Sequence, residues 1–157
     1  MNVVFSFLIA FVLVLTPYNI VRADSPSVEI EVDHVANVLE KFKEKVTLFF
    51  KFSNEAKIDY QKYLLEKRLA ELKYVVDGPE WDPVEETSSR YATYVSKFSE
   101  SAIKNASSEK KVDILNTITR HEKIIEALQR NFEYDGGWWL LLQHDRNLIK
   151  MYSDKLK

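Results

Sequence analysis

Residues 112–132 read VDILNTITRHEKIIEALQRNF, where Ile114, Ile118, Ile125, Leu128 and Phe132 recur with His121 filling the one gap between them. Steps of three and four put all six side chains on one face of an α-helix, a rhythm that a strand, with its period of two, does not share. The same rhythm runs outward in both directions. Upstream, Val84, Thr87, Tyr91, Tyr94, Val95, Phe98 and Ala102 trace a helix opened by Asp82 as a cap, Pro83 at the first helical position and Glu85 three residues after the cap. Asn105-Ala106-Ser107-Ser108 separates these two helices. Before them, Ile58, Leu65, Leu69, Leu72 and Val76 follow a Ser53-Asn54-Glu55 cap, and Gly78-Pro79 ends that run, glycine suiting a left-handed cap. A first stripe of Val35, Leu39, Phe42, Val46 and Phe49 predicts a helix over about 33–52. A last one, Trp138, Leu142, Asp145, Ile149, Tyr152 and Leu156, starts where Asp135-Gly136-Gly137 stops its predecessor. The expected fold is all-α, an elongated up-and-down bundle of about five amphipathic helices whose short connections make neighbours antiparallel.

The chain opens with an apolar run from Val3 to Leu15, interrupted only by Ser6, and then Thr16, Pro17 and Val21-Arg22-Ala23. Small residues at the two positions read by a signal peptidase predict a signal peptide over 1–23 and a helical domain over 24–157. The run is shorter than the roughly 20 apolar residues of a membrane span, and an uncleaved anchor reaching Val21 is the alternative. Export places the protein outside the cytoplasm, in the periplasm, the cell envelope or the medium. The chain has no cysteine, so disulfides, thiolate metal sites and a thiol nucleophile are excluded. Beyond residue 23 there are 21 Lys and Arg against 24 Asp and Glu, a balance that argues against nucleic acid as partner.

Several motifs resemble those of a bacterial family of exported helical domains of unknown function. Residues 44–57, EKVTLFFKFSNEAK, match its Glu-Lys-hydrophobic helix end, Phe-rich connection and Ala-Lys pair, and residues 66–72, EKRLAEL, match its Arg-Leu-Ala-Glu helix. Ser89-Arg90-Tyr91, Arg120-His121-Glu122 and Gln143-His144-Asp145 are similar to its later helices. The chain departs from the pattern at His34-Val35-Ala36-Asn37, where a Ser-Pro-x-Tyr opening is common in the family. The resemblance implies export and a helical fold; it implies no activity.

The side chains offer little chemistry of their own. His34, His121 and His144 are the only histidines, and none stands one helical turn from another histidine, so no metal site and no cofactor is expected. His121 and Asp145 both occupy stripe positions, on consecutive helices, and are the candidate structural polar pair; the sharper reading of His121 is a pH sensor. Arg68 and Glu71 could clamp a carboxylate or phosphate, or form an interhelical ion pair or a solvated face. Trp81, Trp138 and Trp139 flank loops and are the candidate aromatic binding surface, or else plug an end of the bundle. No nucleophile, base and oxyanion group stand together, so no catalytic residue is assigned. The expectation is a non-catalytic binding or scaffolding module at the bacterial cell envelope, with an envelope protein or polymer as partner and a membrane tether only if the signal is retained; the alternative is an envelope-stress or metal- or pH-sensing helical protein. Cleavage after Ala23 predicts that intact-mass measurement of the exported protein finds a chain beginning at Asp24; a species beginning at Met1 would overturn it.

Overall fold

The computed structural model describes residues 27–157, and the expected signal peptide therefore lies outside the described residues. Five helices follow one another: α1 (Val38–Phe49), α2 (Asn54–Asp77), α3 (Val84–Asn105), α4 (Ser108–Gln129) and α5 (Gly137–Leu156). Ser53 and Ser107 cap α2 and α4, each hydroxyl accepting from the backbone N–H three residues on, at Ala56 and Lys110. Asn37 opens α1 with a full capping box, its side chain accepting from Glu40 N and the Glu40 carboxylate from Asn37 N. The first helix thus starts later than the periodicity suggests, because Asn37 supplies the better cap.

Two other expected ends take a different form. Asp82 does not cap α3; Pro83 occupies the cap position with no side-chain bond, and Glu85 and Glu86 face the positive helix end instead. Gly78 ends α2 in extended backbone at φ −77° and ψ 170°, not left-handed. A side chain would be crowded there, since a Cβ would lie 3.3 Å from the carbonyl oxygens of both Tyr74 and Val75. The left-handed residue among those described is Asp135, at φ 63° in the α4–α5 turn.

α2 with α3 and α4 with α5 form two hairpins, joined chiefly through α3 against α5. Asn54 of α2 meets Asn105 at the far end of α3, so that pair is antiparallel. Lys62 meets Asp113, and Glu66 meets His121, so α2 and α4 run parallel. Ser88 meets Asp145 and Glu100 meets Tyr152, so α3 and α5 do too. The chain is an up-and-down bundle, but antiparallel packing holds within each hairpin and parallel packing between them. The stripes of α2 to α5 converge on one core that includes Leu69, Tyr91, Phe98, Ile118, Ile125, Leu142 and Ile149, none more than 0% exposed.

α1 breaks this rule. Its expected core stripe points into solvent: Leu39 is 72% exposed, Phe42 64% and Phe49 77%. The buried residue of α1 is Glu44, on the opposite face. At about 100° per residue, Val38, Phe49, Phe42, Val46, Leu39 and Phe50 fall within an arc of roughly 120°, with Glu40 and Glu44 behind it. Four helices already close the core, and what α1 meets on α2 is a buried cation. Leu69→Ala should therefore cost about 2 to 5 kcal/mol in denaturant melts, and Phe42→Ser less than about 0.5 kcal/mol. A Phe42→Ser cost equal to that of Leu69→Ala would show α1 packed inward.

Candidate functional site

Arg68 is among the largest fully buried side chains of the described residues, and it carries a full charge. It sits in the middle of α2, where the flanking Leu65, Leu69 and Leu72 carry it into the interior. Such a charge needs partners, because burying it alone would cost many kcal/mol. One guanidinium nitrogen, Nη1, donates to both oxygens of Glu71, at 2.5 and 2.7 Å. The other, Nη2, pairs with Glu44 of α1, whose second oxygen takes Lys67 at 2.9 Å. Glu71 also accepts from the backbone N–H of Ala36 at 3.1 Å and lies 3.5 Å from Arg90 of α3. The Tyr94 ring covers the guanidinium at 4.9 Å. Burial would lower the pKa of Arg68, but Glu71 and Glu44 outweigh it and push it above its usual range. Arg68 and Glu71, paired within α2, therefore belong to an ion cluster shared with Glu44 of α1 and Arg90 of α3 rather than to a solvated face, and both oxygens of Glu71 are engaged from within.

His121 is fully buried, as its stripe position requires. Its Nδ1 accepts from the Tyr91 hydroxyl at 3.0 Å, and its Nε2 lies 2.9 Å from Glu66 Oε1, close but out of line for a straight hydrogen bond. Burial would raise the Glu66 carboxyl, but His121 and Arg120 hold it below its ordinary value. Burial keeps the imidazole below its own usual pKa, and the Tyr91 phenol well above, so the ring is neutral and the phenol protonated at pH 7. Arg120 reaches outward from Glu66 to Glu29, 2.8 Å away, tying the segment before α1 to α4.

Asp145 does not pair with His121. Its Oδ2 accepts from Ser88 at 2.8 Å, and Oδ1 has no partner. Tyr91 stands between the two expected partners, bonded to His121 and feeling the field of Asp145. Consecutive stripes were bound to share a core, but α3 intervenes between these two positions. Burial pushes the Asp145 carboxyl up to about 7, against the Ser88 hydrogen bond that lowers it.

The three tryptophans gather at the end of the bundle opposite the α1–α2 turn. Trp81 lies edge to face on Phe132, centroids 5.1 Å apart, and Trp139 on Tyr134 at 4.7 Å. Trp138 packs partly buried against the core. Each indole rests on another ring or on the core, while Trp81 stays 44% and the Tyr134 ring 77% exposed. The open aromatic surface lies at the other end, in Phe49, Phe50 and Phe52, the last 85% exposed. Periodicity located that stripe, but it could not say which way it faces; the signal was the pair of carboxylates on the other side of α1.

A groove of about 630 Å³ runs between the segment before α1 and the end of α2, lined by Val28, Val32, Val35, Tyr74 and Pro79. Neither His121, Glu66, Tyr91 nor Asp145 lines it, and all four are buried. Among the described residues no three His, Asp or Glu side chains converge as metal ligands would.

Asp145 generates a pH test. Its folded pKa, about 7, lies above the ordinary 3.8, so the folded state holds the proton more tightly and this contribution to stability is complete at low pH and lost as pH rises from about 4 to 7. Asp145→Asn keeps an acceptor for Ser88 and removes the titration. The variant should gain on the parent as pH rises, by about 2 to 4 kcal/mol at pH 8 in denaturant melts. A difference that stays flat between pH 4 and 8 would show that Asp145 is not held protonated.

No curated protein matches this chain, and neither does any solved structure. A family model does: the one described as "Domain of unknown function (DUF5667)" matches residues 38–134, from the first residue of α1 to the turn before α5. With that match spanning more than half of its length, the chain belongs to the DUF5667 family.

Proposed function

We propose that the protein is an exported, non-catalytic docking module of the cell envelope, with α1 as its binding face. The observation that carries this reading is the outward apolar arc of α1, continued by Phe50 and Phe52 in the turn after it. Single exposed apolar residues are ordinary, but a contiguous set on one helix marks a surface that another body covers. The buried polar groups support the absence of catalysis in this reading: Arg68, Glu71, Glu66, His121, Tyr91 and Asp145 each meet at least one partner within the fold, and the groove does not reach them. The short apolar run and Val21-Arg22-Ala23 support export.

A second reading, pH sensing, rests on Asp145. A buried carboxyl that changes charge near pH 7 between α3 and α5 would load the joint between the hairpins, and it displaces His121 as the sensing group.

Because the chain has no cysteine, single cysteines report on docking directly. Phe49→Cys and Met151→Cys, the latter on α5, which makes no contact with α1, should both react readily with a maleimide in the purified protein. In intact cells, Phe49→Cys should be shielded by about tenfold or more while Met151→Cys stays reactive, as expected for a covered face. Equal reactivity of the two in cells would sink the docking reading.

A further inference from the structure

The face that α1 presents has a chemistry beyond its apolarity, and it narrows the partner. Lys45 borders one edge of the arc and Lys43 the other, both exposed. The carboxylates of α1 are drawn away from it: Glu44 is held by Lys67 and Arg68, and Glu40 by His34 and the Asn37 N–H. The outward surface of α1 is therefore apolar with cationic rims, on a chain whose net charge is −2. The helix is polarised inside out: its anionic side faces the domain and its apolar side faces water.

We propose that α1 seats on an anionic phospholipid surface, its axis parallel to the bilayer plane. The proposal rests on the reading of α1 as a docking face and names what it docks on. An amphipathic helix lying in the interface buries its apolar side some 5 to 10 Å into the headgroup and acyl boundary, with Lys or Arg at the rims meeting lipid phosphates. α1 has this cross-section, and at 12 residues is about 18 Å long. Phe49 and Phe50, in edge-to-face contact at 5.5 Å, with Phe52 beyond them, form an aromatic wedge at its C-terminal end. The anchoring to Arg68 keeps the face outward without lipid, so the surface is formed in advance of binding.

A second copy of the chain fits this face less well. Two α1 faces packed together would set lysine rims side by side with no carboxylate on the same face to offset them. An anionic bilayer satisfies both the apolar arc and the rims.

The test uses the full chain carrying Phe49→Cys labelled with an environment-sensitive dye, and Met151→Cys labelled likewise. Mixing with equimolar phosphatidylglycerol and phosphatidylcholine vesicles should blue-shift the Phe49→Cys label and leave the Met151→Cys label unchanged. Pure phosphatidylcholine should have little effect. Adding Lys43→Glu and Lys45→Glu, both exposed and in no ion pair among the described residues, should weaken the lipid response by about tenfold or more with the helical circular dichroism intact. An equal shift on both lipids, or a shift of both labels, would overturn the proposal. So would the absence of any shift. Absence of a shift with Phe49→Cys still shielded in cells would leave docking standing and transfer the face to a protein, a second copy if purified protein dimerises with concentration. Phe49→Cys unshielded in cells would remove the docking reading as well.

Discussion

A buried guanidinium organises this molecule. Arg68 cannot remain in the interior of α2 without two carboxylates, and one of them, Glu44, comes from α1. That requirement sets the rotation of α1. With Glu44 turned inward, the residues on the other side of the helix, Phe42, Val46 and Phe49, are left facing out, whatever their own preference for burial. Each large apolar residue left exposed on α1 forgoes roughly 1.5 to 3 kcal/mol of burial. Glu71, the second carboxylate, adds the Ala36 N–H, so the segment leading into α1 is held by the same cluster.

The interior thus carries two polar centres of different kinds. Around Arg68 the groups are charged and reach the surface through Lys67 and Arg90, where solvent relieves part of the field. Around Tyr91 they are largely neutral: a phenol, an imidazole and a carboxyl raised to about 7, with Glu66 held ionised by His121 and Arg120. The first centre fixes how α1 lies on the bundle. The second ties α2, α3, α4 and α5 together and sets the register between the hairpins, as buried polar residues do in helical assemblies.

Much of the fold was legible because α2 to α5 obey one rule, apolar residues inward at three-four spacing. Leu69, Tyr91, Ile125 and Ile149 all lie where that spacing put them. His121 and Asp145 were legible as buried positions for the same reason, but their partners were not. Pairing depends on which helices share a wall, and a periodic stripe is silent on that; Ser88, Glu66 and Tyr91 sit on helices two or more elements away in places. The face of α1 was misjudged because an amphipathic pattern defines two sides without saying which is inside. The deciding residue, Arg68, is remote in sequence, and a Glu-Lys-Arg run ordinarily faces water. Asp82 failed as a cap because Pro83 took that position, whereas Gly78 does end α2, in extended rather than left-handed backbone and close to two carbonyls.

The pairing of α3 with α5 has a temporal side. α3 leaves the ribosome well before α5, the last helix, and until α5 arrives the flank of α3 carrying Ser88 has no cover. The first hairpin can form before α5 is made, but the core cannot close until α5 packs on α3 and α4. The 20 residues of α5 complete the interior, which stays open until they are made. The DUF5667 match ends at 134, before Leu142, Asp145 and Ile149, and a fragment cut there would lack one wall of its own interior.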